Sequence, residues 1–162
     1  MRFKVLTMVV AMSALAACAH NPGPTTNAGG TASAINTGET TTSSSAAEAE
    51  LKSSVGDHVL YAFNSSAISA PARATLQRQA AFAAKYPQLT FTIEGRCDER
   101  GTREYNLALG ERRATAAKDA LVALGVAEGR LQTISYGKER PVVVGSTEAA
   151  YAQNRRATTV VN

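Results

Sequence analysis

Between Gly95 and Ala114 the chain reads GRCDERGTREYNLALGERRA, and this stretch gathers four acids, an amide, a thiol and five arginines at close spacing. The pair with the clearest chemistry is Asp98 and Arg113. An acid and a guanidinium on opposite walls of one cleft suit a zwitterion, because Arg offers a carboxylate two parallel bonds while Asp meets an ammonium. The residues taken alone favour the plainer alternative, a structural Asp98–Arg113 ion pair, since ion pairs at helix starts are common.

The elements around the pair decide whether it can meet. A strand-like run, Leu89 to Glu94, alternates Leu89, Phe91 and Ile93 with polar residues and ends at Gly95. A turn follows to Gly101, and a helical pattern begins near Thr102, a good N-cap. Leu107, Gly110, Ala114, Ala117, Leu121 and Leu124 recur at spacings of three and four, which predicts one buried stripe and a stop at Gly125. At about 100° per residue Arg112 projects opposite that stripe, whereas Arg113 lies about 70° from its centre. Arg112 is therefore expected in solvent and Arg113 partly enclosed, aimed back toward the helix N-terminus. Asn106 shares that edge two turns earlier, so Arg113, Asn106 and Asp98 converge.

Other chemistries fit poorly. Glu99 and Glu104 sit near a helix N-terminus, where the dipole favours acids and an anion would be repelled, and Gly95 and Gly101 lack nucleotide-loop spacing. The only histidines are His20 and His58, neither close in sequence to a nucleophile, and no Cys/His cluster suggests a metal. Adjacent Asp98 and Glu99 point apart on a tight turn, without the facing geometry of a glycosidase. The reading is a binding protein, not an enzyme, with no cofactor.

The N-terminus has a basic start, Arg2 and Lys4, then an apolar run from Val5 to Ala17 too short for a permanent span. Residues 1–17 read as a secretory signal. Leu15-Ala16-Ala17-Cys18 resembles a lipobox, which implies diacylglycerol on the Cys18 sulfur, cleavage before it and an acyl group on the new amine. An ordinary signal that happens to include a cysteine is the alternative. Ala19 follows Cys18, which implies outer-membrane anchoring facing the periplasm, and several acyl chains give stable attachment without a span. Removing Arg2 and Lys4 takes Lys plus Arg from 17 to 15 against 13 acids, lowering the formal charge from +4 to +2. No basic stripe with interleaved aromatics appears, so nucleic acid is not expected. Lipidation of Cys18 leaves Cys97 without a partner, and a free cysteine usually behaves as a small hydrophobe.

Residues 18–56 are rich in Thr, Ser, Ala, Gly and Pro and show no sustained amphipathic period, which reads as a flexible tether. Its typical end-to-end distance would be about 35 Å and its stretched limit roughly 130 Å. Residues 57–162 suit one small domain. Strands are expected at His58 to Phe63, Leu89 to Glu94, Leu131 to Tyr136 and Arg155 to Val161, with helices from Pro71 to about Tyr86, from Thr102 to Leu124, and from Thr147 to Asn154. Two strand–helix–strand units imply parallel neighbours, so the expected fold is α+β, a two-layer sandwich of a small mixed four-stranded sheet with helices on one face.

The run Asp98-Glu99-Arg100-Gly101-Thr102, then Glu104-Tyr105-Asn106-Leu107, then Leu109-Gly110-Glu111-Arg112-Arg113-Ala114 resembles the signature of the OmpA-like peptidoglycan-binding domain family, in the version carried by peptidoglycan-associated lipoproteins. Tyr136-Gly137-Lys138-Glu139, Pro141 and Asn154-Arg155-Arg156-Ala157 fit the same pattern in the same order. The resemblance covers roughly residues 57–162. It implies that Asp98 and Arg113 hold the diaminopimelate of the cell-wall stem peptide, and that Arg100, Leu109, Phe63 and Asn64 line the pocket with them. Asn64 stands where an aspartate is usual, which removes one negative charge from the ammonium side, and Arg96 stands where a histidine is usual. The resemblance also implies TolB and other Tol proteins as partners that compete for an overlapping surface.

Overall fold

A computed structural model describes the backbone of residues 37–162 and side chains from residue 44 onward. The signal reading of 1–17 and the lipidation of Cys18 lie outside the described residues.

The first element departs from the sequence reading. Helix α1, Thr37–Glu50, continues into a π-helical turn at Leu51–Val55, inside the span expected to be tether. The local Thr/Ser composition is a weak helix former, so packing supplies the stability. Ala47 and Leu51, one turn apart, are 0% and 1% exposed in the main core. Glu50 receives Lys85 Nζ at 2.8 Å and Tyr86 Oη at 2.7 Å. Gly56, at φ +93°, donates to the Leu51 carbonyl and ends the helix, and Arg78 and Gln79 bond the carbonyls of Val55 and Gly56. The two buried side chains among those described, Ala47 and Leu51, do not make a periodic stripe that the sequence alone would show.

From there the order follows the sequence: β1 His58–Leu60, α2 Ala70–Lys85, β2 Phe91–Arg96, α3 Arg103–Ala123, β3 Leu131–Gly137, α4 Glu148–Asn154 and β4 Arg156–Val161. Hydroxyl caps start three helices: Ser69 accepts from the Ala72 N–H, Thr102 from Tyr105 and Thr147 from Ala150. Helix α3 ends where Gly125 reaches φ +97°, with Gly125 N–H on the Val122 carbonyl and Val126 N–H on Leu121. Those paired bonds, with Leu121 and Val126 both buried, form a Schellman stop.

The sheet is mixed, in the order β1-β4-β2-β3. Strand β3 pairs parallel with β2, as the second strand–helix–strand unit requires. The first unit differs: β1 and β2 are not neighbours, because β4 enters between them antiparallel to both. Strand β4 can do this because only the last strand is free to fill the gap after both crossovers are made. Phe91 and Ile93 face the helices with Leu76, Leu51 and Ala114 in one core.

Helix α3 is rotated about 30° from the expected phase, taking 100° per residue. Its buried residues are Asn106, Leu109, Gly110, Arg113, Ala114, Ala117 and Leu121, while Leu107 and Leu124 are exposed. The cause is close backbone approach: a Cβ on Gly95 would lie 1.8 Å from the Gly110 carbonyl oxygen, so the Gly110 face must meet β2. Leu107 then turns outward beside edge strand β3, and Leu124 lies past the last helical turn.

Candidate functional site

A cleft of about 180 Å³ opens where the end of β1, the β2–α3 turn and the first turns of α3 meet. All seven residues expected to bind ligand line it: Phe63, Asn64, Asp98, Arg100, Asn106, Leu109 and Arg113. Cys97, Gly101 and Tyr105 complete the lining.

Arg113 is 1% exposed, enclosed rather than at the rim. Its Nε donates to the Ser65 carbonyl at 2.9 Å, Nη1 to the Arg96 carbonyl at 2.9 Å and to Cys97 Sγ at 3.3 Å, and Nη2 to the Ala62 carbonyl at 3.1 Å. Four of its five N–H donors are thus engaged, and one Nη2 hydrogen remains. Burial pushes its guanidinium down, but an arginine keeps its charge. Two parallel bonds from Arg113 to one carboxylate, expected from the sequence, are therefore not offered by this arrangement.

Asp98 is 4% exposed, and among the described residues its ion pairs run to Arg100 and Arg155, not to Arg113. The structural Asp98–Arg113 pair is absent. One carboxylate oxygen accepts the Arg100 N–H and Nε at 3.2 Å each; the other accepts Arg100 Nη2 at 2.6 Å and Arg155 Nη1 at 3.3 Å. Burial alone would push this carboxyl up, but the bonds from Arg100 and Arg155 outweigh it and hold it below the usual aspartate value.

Arg100 closes the cleft from outside. Its guanidinium lies 4.2 Å from the Phe63 ring centroid and 4.5 Å from that of Tyr151, while its side chain is 37% exposed. Asn106, 2% exposed, donates to the Arg100 and Thr102 carbonyls at 2.8 and 3.0 Å and so fixes the turn that aims Asp98. Asn64 takes a left-handed φ of +52°, which Asn tolerates, and accepts from the Tyr105 hydroxyl. Leu109 supplies the apolar floor, and Phe63 is an exposed wall. Cys97 donates from Sγ to the Asn106 carbonyl, and burial pushes its thiol up, so it packs as a neutral group.

Arg155, Glu148 and Tyr151, three residues beside the cleft, escaped the sequence reading. Arg155 joins Asp98 to Glu148, the latter at 2.8 Å, and donates from Nε to the Tyr61 carbonyl. Tyr151 stacks on Arg100 and donates its hydroxyl to Glu99 at 2.7 Å. The signal for Arg155 was present in the Asn154-Arg155-Arg156-Ala157 run, but that run follows the turn by more than fifty residues and gives no hint of contact. Arg96, by contrast, turns away from the cleft and bonds Glu94 on the opposite face of the sheet.

Residues 60–155 match the model of the OmpA family. The peptidoglycan-associated lipoprotein of Brucella melitensis is 55% identical over 108 residues, which span 67% of this chain and 64% of that protein, a little under two thirds of its length. The protein of the same name from Rhizobium meliloti is 46% identical over 160 residues, 99% of this chain and 88% of its own. Among solved structures, the peptidoglycan-associated lipoprotein from Burkholderia pseudomallei superimposes with a TM-score of 0.63 at 44% identity, covering 65% of this chain and 90% of that one. The C-terminal domain of Helicobacter pylori MotB, at 21% identity and a TM-score of 0.62, shares the fold.

Proposed function

The chain belongs to the OmpA family, and from that premise we propose that it is a non-enzymatic, lipid-anchored envelope protein whose cleft holds peptidoglycan. The ligand group is the free amino-acid end of diaminopimelate in the stem peptide. The observation that carries this reading is the cleft itself: an ionised acid and a buried guanidinium on two walls, with the exposed Phe63 ring and the buried Leu109 side chain between them.

The occupied state of Asp98 says how binding would proceed. With four donors already on its two oxygens, an incoming ammonium must take the place of Arg100. Arg100 is the one partner able to yield, since Arg155 is held by three acceptors and nearly buried. Once displaced, its fork is free for the ligand carboxylate, which the remaining Arg113 Nη2 hydrogen also meets. The two charges of the zwitterion exchange partners with a protein ion pair, and no buried charge is left alone.

The lipid on Cys18 would fix the chain to the outer membrane, periplasm-facing, and the cleft would fix it to the wall. A second reading is a scaffold for a protein partner, TolB of the Tol system. Its support is the loop beside the cleft, where Val142, Val143 and Val144 are 45%, 37% and 90% exposed and held in place by Asn154 bonds to the Val142 and Val143 amides. The two readings are compatible.

Sedimentation of the detergent-solubilised full chain with purified insoluble peptidoglycan tests the first. Wild type is expected in the pellet and Asp98→Asn in the supernatant, with the same circular dichroism. Equal pelleting of both would remove Asp98 from the site.

A further inference from the structure

The sheet has a second face, opposite the helices, and a cluster there is unexplained by the cleft. Register places Arg96 of β2 directly across from Arg156 of β4, with Thr158 opposite Glu94 in the next row on that face. Like charges directly opposed across antiparallel strands are unfavourable, so this pair needs a reason.

The polar accounting around it does not close. Arg96 spends Nη2 on Glu94 at 2.6 Å, but its Nε is buried with no partner among the described residues. The Thr158 hydroxyl is likewise buried and unpartnered, in a residue 9% exposed. Arg156 is 8% exposed and among the described residues bonds only Gln153, through Nε to its carbonyl and Nη2 to its side-chain oxygen. Among the described residues it has no acid within ion-pair distance: Asp57, whose charge acts on it from farther off, is bonded to His58, and Glu94 is bonded to Arg96. Buried donors without acceptors and a nearly buried cation without a counter-ion each cost free energy.

One anion satisfies all three deficits. We propose that the sheet face turned away from α2 and α3 carries a phosphate-binding site made by Arg96, Arg156 and Thr158. Arg96 and Arg156 stand against Glu94 and the His58-bound Asp57, and Arg140 shares the Tyr136 ring with Arg96, adding a third guanidinium to the cluster. A tetrahedral oxyanion offers separate oxygens to the free Arg96 Nε–H, to Arg156 Nη1 and to the Thr158 hydroxyl, which the two coplanar oxygens of a carboxylate match less well. The phosphate is either free or part of a lipid headgroup. The site is independent of the cleft, whose lining Arg96 and Arg156 side chains do not join.

The test follows the arginine Nε–H resonances of the full chain in neutral detergent, at constant ionic strength, during titration with inorganic phosphate and separately with dihexanoyl phosphatidic acid. The Arg96 and Arg156 signals should move saturably while that of exposed Arg103 does not, and Arg96→Gln or Arg156→Lys should weaken binding about tenfold or more. A response to both ligands supports a bare phosphate site, and a response to phosphatidic acid alone supports a headgroup site. No saturable movement with either, or undiminished binding by both variants, overturns the proposal. Arg156→Lys keeps the charge, so a folding failure in Arg96→Gln leaves a usable arm.

Discussion

Arg113 carries two duties at once. Its fork ties the loop after β1, through the Ala62 and Ser65 carbonyls, to the end of β2, through the Arg96 carbonyl, so the side chain that a ligand would reach also holds the cleft walls together. Each buried carbonyl left without a donor costs about 1–3 kcal/mol, so Arg113→Ala is expected to lower stability by on the order of 3 kcal/mol or more. Arg113→Lys should fold better than Arg113→Ala yet still lose binding, because an ammonium cannot reach all of those acceptors; urea midpoints for both variants check the order. Asp98 adds a pH signature. Its folded value lies below the ordinary 3.8, so its contribution to stability is present above about pH 4 and is lost as pH falls through the folded value. Between pH 6 and pH 3 the urea midpoint of wild type should fall further than that of Asp98→Asn. The sequence disclosed Asp98, Asn106 and Arg113 because they sit within one turn and two helical turns of each other, where local periodicity is a reliable guide. It did not disclose that Arg155 rather than Arg113 completes the ion pair, since that contact spans 57 residues of sequence.

At the level of elements, the same division holds between local and distant causes. Thr102, Ser69, Thr147 and Gly125 are readable as caps because each acts within a turn of itself. The insertion of β4 between β1 and β2 depends on pairing across the whole domain, and only the count of strands and the mixed character of the sheet were foreseeable. Helix α1 was missed because its Ser/Thr composition argues for coil, whereas burial of Ala47 and Leu51 against the domain decides the outcome. This correction is measurable. Leu51→Ala in the full chain should cost about 2–5 kcal/mol in urea unfolding, the range for truncating a buried leucine. A tether residue would change stability by no more than about 0.5 kcal/mol.

For the molecule as a whole, the helical start moves the domain boundary. If Cys18 is the lipid anchor, only residues 19–36 lie between it and α1, and 18 residues span at most about 65 Å in any conformation, half the reach implied by a tether running to Gly56. The protein would then bridge membrane and wall only where they approach closely, and only there would the shorter link raise the local concentration of cleft at the wall. Among the described residues no helix is long and apolar enough to cross a membrane.

The central claim is that the cleft reads both charges of an amino-acid end, the ammonium at Asp98 and the carboxylate at Arg100 and Arg113. Its most direct test is displacement of the full chain from purified peptidoglycan by free diaminopimelate, beside Nα-acetyl-lysine amide, which offers the ammonium without a carboxylate. The account predicts release by diaminopimelate and none by the lysine derivative at the same concentration. Equal release by both would reduce the site to an ammonium pocket, and release by neither would contradict recognition of the zwitterion.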